Sequence, residues 1–533
     1  MVTYSTPGVY VEEIPTLAPS VASVATAIPV FIGYTEKGPL LKPIRIDTML
    51  DYVSLFGGAN PSAFEINGDN TITRTDAGTN KFLMYYGLSL YFQNGGGSCY
   101  ILSVGGYDKT IAKSDFDTVL DVLEKEDEPT LIVLLDATVL PDVTDYYDLC
   151  NKALVQCEKL GDRFLLVDIP DSKTNDFRNS STFGNNNLCY AAAYHPYLNT
   201  TLNLQYQEDK VTQTSGLQWS AGNNSINVVY KGSTAAPKVK ITADATGTNK
   251  AEFAISSNTL NIKTAASAPS AAEVVAAWNT WKSTGTAAGF DISINGTGND
   301  PVAVTAVQSL VASPATTLAS LKQSNTVLYN QIKSSLATQR VTLPPSPAIA
   351  GVYASVDRER GVWKSPANVS LSGVIGPAVK ISDAEQDLLN IDPTAGKSIN
   401  AIRDFTGKGT LVWGGRTLAG NDNEWRYVSV RRLFITIEES TRKASAFAVF
   451  EPNDATTWLK VKAMIESYLY GLWQQGALAG SKPEAAYVVN VGLGKTMTAQ
   501  DILEGRMIVT IGVAAVRPAE FIILRFSHKM QEA

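Results

Sequence analysis

The sequence predicts a mixed α+β protein of several domains. Its 533 residues exceed what one hydrophobic core usually supports, so roughly two to four domains are expected. Between residues 130 and 168, apolar runs on either side of a helical segment predict a β-α-β unit in a parallel sheet that is covered on both faces. From about residue 203 to residue 319 the chain becomes rich in Thr, Ser, Ala, Asn and Gly. That shift indicates a small β-rich domain inserted into a larger α/β middle domain, which an α+β C-terminal domain follows.

Composition and charge argue against several classes of function. The formal net charge of −7 argues against a nucleic-acid partner, because nucleic-acid-binding domains are usually basic. No apolar run approaches the roughly 20 residues of a membrane span, so direct membrane insertion is not expected. The two histidines, His195 and His528, leave little for catalytic triads or histidine-rich metal sites, and no enzymatic activity or cofactor is predicted. Charged residues make up only 18% of the chain, which indicates that other subunits cover much of the surface.

Residues 1–20 are predicted to form an ordered arm. Val9, Tyr10 and Val11 are short strand material. A disordered tail is usually charged and poor in β-branched and aromatic residues. This segment carries little charge and contains both kinds of residue. After the arm, the pattern predicts a buried strand over Ile28–Tyr34, then a strand and a capped helix over Ile44–Phe56.

Three consecutive glycines, Gly95–Gly97, follow a predicted helix over Phe82–Phe92 and precede a predicted strand over Cys99–Val104. A phosphate-binding loop has the opposite order, with a strand first, then the glycines and then a helix N-terminus. The glycines therefore indicate a helix C-cap. Residues 59–80, rich in Asn, Gly and Thr, are predicted to be a loop.

Two aspartates end the strands of the predicted β-α-β unit. Asp136 closes the strand Thr130–Asp136 and Asp168 closes the strand Arg163–Asp168, with a helix over Asp145–Leu160 between them. The carboxyl ends of parallel strands are where α/β active sites form, so a metal-dependent hydrolase is one interpretation. The other is that each aspartate starts a loop or caps a helix, and this is favoured because no third ligand motif lies nearby.

The middle domain is expected to comprise residues 21–202 and 330–400, and the inserted domain residues 203–329. Within the insertion the pattern predicts a helix over Ala271–Trp281 and short strands over Val228–Tyr230, Lys238–Ala243, Glu252–Ser256, Thr259–Lys263 and Phe290–Ile294. Trp278 and Trp281 lie at helical spacing, so at least one is expected in a core. A glycan-binding surface remains an alternative for this domain.

The stretch Leu343–Asn368 is dense in proline and glycine. Pro344, Pro345 and Pro347 fix φ and remove backbone donors, which predicts that the run is neither helix interior nor central strand. Ala348–Ala354 is mostly small and apolar and is expected to lie close against other backbone. We interpret the stretch as an ordered crossing between two domains.

The C-terminal domain is expected over residues 401–533. Pro452 and the residues after it predict a helix over Ala455–Trp473. A strand is predicted over Ala486–Val491, and a hairpin over Ile508–Ala514 and Glu520–Phe526. Just upstream of the domain, a capping box predicts a helix that starts at Ser382. Gly494-Lys495-Thr496 lacks the upstream glycine of a Walker motif, since Val489 occupies that position.

Several segments together resemble the contractile tail sheath proteins of phages and phage-tail-like injection systems. The N-terminal PGVYVEE and the block PPSPAIAGVYASVDRERGVWKSPAN carry part of the resemblance. The C-terminal segments carry the most specific part: Trp413–Thr417, Val430–Leu433, Phe450–Asn453 with Trp458, and Pro518–Phe521. Their order and spread along the chain make coincidence improbable, and the inserted domain lies outside the resemblance.

The resemblance implies a subunit that polymerises helically around an inner tube and contracts, on stored conformational energy, to push the tube through a target cell envelope. Its partners would be copies of itself or paralogous sheath subunits, the inner tube protein, and baseplate and tail terminator or cap proteins. It would assemble in the bacterial cytoplasm and leave in a virion tail or an extracellular tail-like particle. A non-contractile β-rich shell or adhesin protein, and a metal-dependent hydrolase, remain alternatives.

The resemblance also suggests two sets of functional residues. The terminal arms would exchange strands with neighbouring subunits through Val9, Tyr10, Val11, Phe521, Ile522, Ile523, Leu524 and Phe526. The tube would be gripped through charge contacts, for which the candidates are Arg431, Arg432, Lys460 and Lys462.

Overall fold

The computed structural model describes residues 21–67, 70–76, 82–170, 173–213, 217–232, 236–243, 250–284, 287–312 and 316–523. The chain divides into two compact units. The body unit comprises Met1–Asn60, Lys81–Asn203 and Arg340–Ala533, and the inserted unit comprises Pro61–Asn80 and Leu204–Gln339. The mixed α+β class predicted from the sequence is confirmed in both units.

The strands, numbered in chain order, are β1 Pro29–Tyr34, β2 Ile44–Ile46, β3 Ser62–Ile66, β4 Ile72–Arg74, β5 Cys99–Gly105, β6 Leu131–Val133, β7 Phe164–Asp168, β8 Ala191–His195, β9 Leu198–Asn203, β10 Tyr206–Gln213, β11 Leu217–Ser220, β12 Ile226–Tyr230, β13 Lys238–Thr242, β14 Ala251–Ser256, β15 Thr259–Thr264, β16 Phe290–Ile294, β17 Thr305–Ser309, β18 Val311–Ala312, β19 Thr316–Thr317, β20 Arg340–Leu343, β21 Val369–Ser370, β22 Val374–Pro377, β23 Ile399–Phe405, β24 Gly409–Val412, β25 Tyr487–Val491 and β26 Val509–Val513.

The α-helices are α1 Met49–Phe56, α2 Met84–Gln93, α3 Val119–Leu123, α4 Val143–Leu160, α5 Thr174–Asn179, α6 Ala271–Thr284, α7 Leu318–Ser324, α8 Thr326–Leu336, α9 Ser346–Arg360, α10 Asp383–Asn390, α11 Val428–Ala444, α12 Ala455–Gln474, α13 Pro483–Ala486 and α14 Ala499–Leu503.

A nine-stranded sheet organises the body unit, in the order β2-β5-β1-β6-β7-β8-β23-β24-β21. Its central strands are parallel, while β2, β24 and β21 pair antiparallel at the two edges. The predicted β-α-β unit is confirmed, since β6 pairs parallel with β7 and α4 connects them. Val30, Phe31 and Ile32 of β1 are fully buried, as expected for strands covered on both faces.

The prediction that the prolines keep Leu343–Asn368 out of a helix is wrong, because α9 occupies Ser346–Arg360. Pro345 is the N-cap residue and Pro347 lies in the first turn, where backbone N–H groups have no intrahelical partner and proline is tolerated. The expected close approach to other backbone is confirmed. A Cβ on Gly351 would lie 2.6 Å from the carbonyl oxygen of Tyr91 in α2, so the two helices touch through backbone.

Two other predictions of local structure are wrong. Residues 59–80, predicted as a loop, contain β3 and β4. For Leu433–Ser440 the sequence left helix and strand open, and the structure places these residues in the helix α11. Of the predicted C-terminal hairpin, β26 forms but pairs with β25 instead, and the described part of the second strand, Glu520–Ile523, is not extended into a strand.

Within the described residues, the inserted unit contains three four-stranded sheets and the helices α6, α7 and α8. The predicted strands between residues 226 and 294 and the helix are confirmed within a few residues. Trp278 is fully buried, its Nε1 donates to Asp291 Oδ1 at 2.9 Å, and its ring stacks on Trp281. Trp278 thus belongs to the core of the unit, and the partly buried Trp281 packs against it. Throughout the described chain, no helix combines the length and apolarity needed to cross a membrane.

Candidate assembly site

The strands β25 and β26 form a small antiparallel sheet, in register from Tyr487↔Val513 to Val491↔Val509. One face is buried, because Val489 belongs to the same apolar cluster as Val461 and Ile465 of α12. Within the described residues, no third strand joins this sheet. A two-stranded sheet is at best marginal by itself, and an unpaired strand edge can accept a strand from another chain. The geometry is therefore suited to completion by strands from neighbouring subunits.

The helix α12 supports this sheet with one face and exposes the other. It begins at Asp454, whose side chain accepts hydrogen bonds from the backbone N–H groups of Thr456 and Thr457. Its buried face includes Val461, Met464, Ile465, Leu469 and Leu472. Leu459 and Tyr470 are 67% and 41% exposed, so the outer face combines apolar and polar groups.

The two predicted tube-facing lysines lie on α12. Lys460 is exposed. Lys462 is half-buried, and its Nζ lies 3.6 Å from Glu466 Oε1. The Lys460 ammonium group is open to a partner. The Lys462 ammonium group is also available, because a single solvent-exposed ion pair such as the one with Glu466 is weak.

The two predicted tube-facing arginines lie in the interior of the body unit. The Arg431 guanidinium is sandwiched between the rings of Tyr190 and Trp425, at 4.5 and 4.6 Å, and donates to Glu438 Oε2 at 3.0 Å. Arg431 is 5% exposed and Arg432 is 3% exposed. These side chains serve the packing of α11, so their charge is not presented at the surface of the subunit.

Arg432 ties three distant parts of the chain together. It forms a buried ion pair with Asp357 of α9, and its guanidinium lies 4.5 Å from the centre of the Tyr353 ring. Its Nη2 also donates to the carbonyl oxygen of Thr26 at 2.8 Å. Nearby, the backbone N–H of Val24 donates to Ser440 Oγ at 3.1 Å. The segment that follows the predicted N-terminal arm is thus fixed to α11.

Of the predicted arm residues, Val9, Tyr10, Val11, Leu524 and Phe526 lie outside the described residues. Phe521, Ile522 and Ile523 are described and are 67%, 80% and 77% exposed. Three consecutive apolar side chains in water are unfavourable for an isolated subunit. They would gain stability from burial against another chain.

The two aspartates predicted to end strands accept hydrogen bonds from the backbone where the helices α2 and α9 begin. Asp136 accepts hydrogen bonds from the backbone N–H groups of Tyr34 and Leu83, both at 2.7 Å, and Leu83 is the N-cap residue of α2. Asp168 accepts from the backbone N–H and the hydroxyl of Ser346, the first residue of α9. Burial raises the pKa of each carboxyl to about 7. Within the described residues, no group of three or more His, Cys, Asp or Glu side chains could hold a metal ion.

Comparison with known proteins places the chain among sheath proteins. Residues 420–529 match the family model of the phage tail sheath C-terminal domain. A tail sheath protein of Vibrio phage KVP40 is 26% identical over 188 residues, which cover 34% of this chain and 26% of that relative. The match thus spans about a quarter of the length of the curated relatives found first.

Two solved structures match over nearly the whole chain. A chain in the cryo-EM structure of the anti-feeding prophage baseplate is 30% identical, with a TM-score of 0.57 over 99% of this chain and 100% of that one. A chain in the contracted-state sheath complex of PVC, an extracellular contractile injection system, is 28% identical, with a TM-score of 0.56 over 99% of each chain. From the motifs, the fold and these matches together, the chain belongs to the contractile tail sheath protein family.

Proposed function

We propose that this protein is the sheath subunit of a contractile tail or tail-like injection particle. It polymerises helically around an inner tube, and the sheath contracts to push the tube through a target cell envelope. The observation that carries the proposal is the two-stranded sheet β25–β26, whose outer edges carry no further strand within the described residues. Terminal arm strands of neighbouring subunits would complete this sheet.

The energetics of such junctions fit a polymer that changes shape without coming apart. Each added backbone hydrogen bond contributes only about 0.5–1.5 kcal/mol net, so one junction is modest. Heterologous contacts repeated from subunit to subunit build a helical filament, and the junctions add up along it. Paired arm strands would tether the subunits while their bodies rotate from a metastable extended packing into a better one, without nucleotide hydrolysis.

The proposed partners follow from this assembly. They are copies of the chain or paralogous sheath subunits, the inner tube protein, the baseplate, and a terminator or cap protein at the far end. Baseplate association has the support of the related chain in the anti-feeding prophage baseplate. We propose assembly in the bacterial cytoplasm and release in a virion tail or an extracellular particle.

The tube contact is proposed for the outer face of α12, through Lys460 and Lys462. Reversing both charges to Glu should give empty or contracted sheaths, because the tube would no longer be held by complementary charge. The matched control is Lys380→Glu with Lys408→Glu, which makes the same charge change at two exposed lysines elsewhere in the body unit. Normal, loaded, extended particles from the α12 variant would contradict the tube contact.

The assembly itself is tested by negative-stain electron microscopy of the full chain beside a version that lacks residues 1–14. Long hollow tubes from the full chain and dispersed subunits from the shortened one are expected. Tubes from both versions would support the sheath function and contradict the proposed role of the N-terminal arm. A full chain that stays monomeric at high concentration would overturn the proposed function.

A further inference from the structure

A partly buried ion pair fixes the chain immediately before its exposed apolar C-terminal segment. Arg416 follows β24, and its Nε and Nη2 donate to both carboxylate oxygens of Glu520, with distances of 2.6 to 3.1 Å. The Arg416 side chain is 5% exposed and that of Glu520 is 23% exposed. Such a two-pronged contact between guanidinium and carboxylate is stronger and more directional than an ordinary hydrogen bond.

The same carboxylate receives two further donors. Asn390, at the end of α10, donates from Nδ2 at 3.1 Å, and the Tyr427 hydroxyl donates at 3.3 Å. Arg416 is itself held, because its backbone N–H donates to Asn400 Oδ1 at 2.8 Å and its Nη1 donates to the Asn390 carbonyl. The Glu520 carboxylate is therefore bound by groups from three separate elements of the body unit.

The position of the Glu520 contact along the chain indicates its role. The last backbone hydrogen bond among the described residues of this segment joins Val516 N–H to the Ala477 carbonyl. Between Val516 and the exposed Phe521, only side-chain contacts hold the chain among the described residues. Arg517 donates to the Asn423 carbonyl, and Glu520 is bound by Arg416. Without the Glu520 contact, the three residues 518–520 between Arg517 and Phe521 would be unheld, and three residues span up to roughly 10 Å when extended.

We propose that Arg416 and Glu520 are positioning residues for the C-terminal arm, fixing where it leaves the body so that its strand meets a neighbouring subunit in one register. The inference rests on the proposed sheath function. An arm whose first residues could move over roughly 10 Å would still pair, but it would not set one distance between subunits. The segment at the other end of the described chain is held in a similar way, through Arg432 and the Thr26 carbonyl.

The first test uses unassembled subunits and does not depend on polymerisation. Spin labels at Ile522→Cys and Lys408→Cys, in a background with Cys189→Ser, report the distance from the arm root to the body by electron–electron double resonance. We expect one narrow distribution for the parent chain and a distribution about 10 Å wider for Glu520→Ala. Arg416→Gln, which breaks the contact from the other side, should widen it equally.

Asp383→Ala is the control. It removes an ion pair to Arg403 in the same part of the body unit but keeps the contacts of Glu520 with Arg416, so the distribution should stay narrow. Unchanged distributions in both Glu520→Ala and Arg416→Gln would overturn the proposal. Equal widening in the control would also overturn it, because the loss would then be a general loosening of this region.

The second test measures assembly. Glu520→Ala and Arg416→Gln should each need about tenfold more protein to form tubes, because an arm that is no longer held loses more conformational freedom when it pairs, and both should give an irregular axial rise. Asp383→Ala should assemble as the parent does. If the parent forms no tubes, the proposed function fails, and the distance measurement still tests the positioning role of Arg416 and Glu520. Tubes with the same axial rise from all variants would overturn that positioning role alone.

Discussion

Two helices of the body unit, α9 and α12, bury their surfaces in opposite ways. Every residue of α9 from Ser346 to Ala354 is buried. In α12 only one face is buried, and Leu459 on the other side is 67% exposed. A helix enclosed on all sides can act only through the fold of the subunit, whereas a helix with an open face can also act on partners.

The difference arises from side-chain size. The buried part of α9 uses Ala348, Ala350, Gly351 and Ala354, which let neighbouring backbones approach. The buried face of α12 instead uses larger groups such as Ile465 and Leu469 at helical spacing. Substitutions in α9 should therefore disturb folding, and substitutions on the open face of α12 should disturb assembly alone.

The largest effect is expected for Gly351→Leu. Even a Cβ there would lie 2.6 Å from the Tyr91 carbonyl and 2.9 Å from Asn94 Cβ, and a full Leu side chain would force α9 and α2 apart. Overpacking of this kind costs about 3 kcal/mol or more. We expect insoluble protein, or loss of the cooperative unfolding transition of the body unit in scanning calorimetry.

Gly471→Ala in α12 is the matched control. A Cβ on Gly471 would meet no atom within 4 Å, and replacing glycine by alanine inside a helix favours the helix by up to about 1 kcal/mol. The variant should unfold at the same or a slightly higher temperature. A soluble Gly351→Leu protein with an unchanged transition would show that α9 and α2 are not in backbone contact.

The same comparison explains which helix the sequence could predict. The start of α12 is marked by Pro452 and Asp454, and its apolar residues recur at the spacing of one helical face, so the prediction of Ala455–Trp473 is confirmed. Over Ser346–Ala354 of α9 every position is buried, which leaves no such periodicity. Its prolines, taken as evidence against a helix, lie at its N-terminal end, where they do not interrupt hydrogen bonds.

Long-range contacts limit what could be predicted of the candidate site. Arg431 and Arg432 are charged residues on a helix, and nothing local separates them from surface charges such as Lys460. Their partners, Tyr190 and Asp357, come from distant parts of the chain. Only the fold brings these groups together, and it turns the arginines inward.

A smaller loss of stability is expected for Ile465→Ala in α12. Ile465 is 2% exposed and belongs to the cluster that supports β25, so its truncation should cost about 2–5 kcal/mol. Leu459→Ala on the open face should change the free energy of unfolding by less than about 0.5 kcal/mol. Calorimetry of both variants checks this, and equal losses would contradict the one-sided burial of α12.

The pH dependence of stability carried by Asp168 tests the start of α9 without changing any apolar packing. Burial raises its pKa from the ordinary 3.8 to about 7 in the folded protein. Between pH 4 and pH 7 the folded protein therefore holds a proton that the unfolded chain has released. This contribution to stability is fully present below pH 4 and is lost as the pH rises through 7, with a slope of up to about 1.4 kcal/mol per pH unit.

Asp168→Asn should remove that slope and keep the helix start, because an amide oxygen can still accept from the Ser346 N–H. Asp136 has the same pKa shift for the same reason, so the single variant should lose about half of the combined effect and the double variant with Asp136→Asn nearly all of it. The measurement is the free energy of unfolding from pH 4 to pH 7, compared with the parent chain so that the other carboxyl groups cancel. Parallel profiles for all three proteins would mean that both aspartates stay ionised in the fold, with the N–H groups at the start of α2 and α9 outweighing burial.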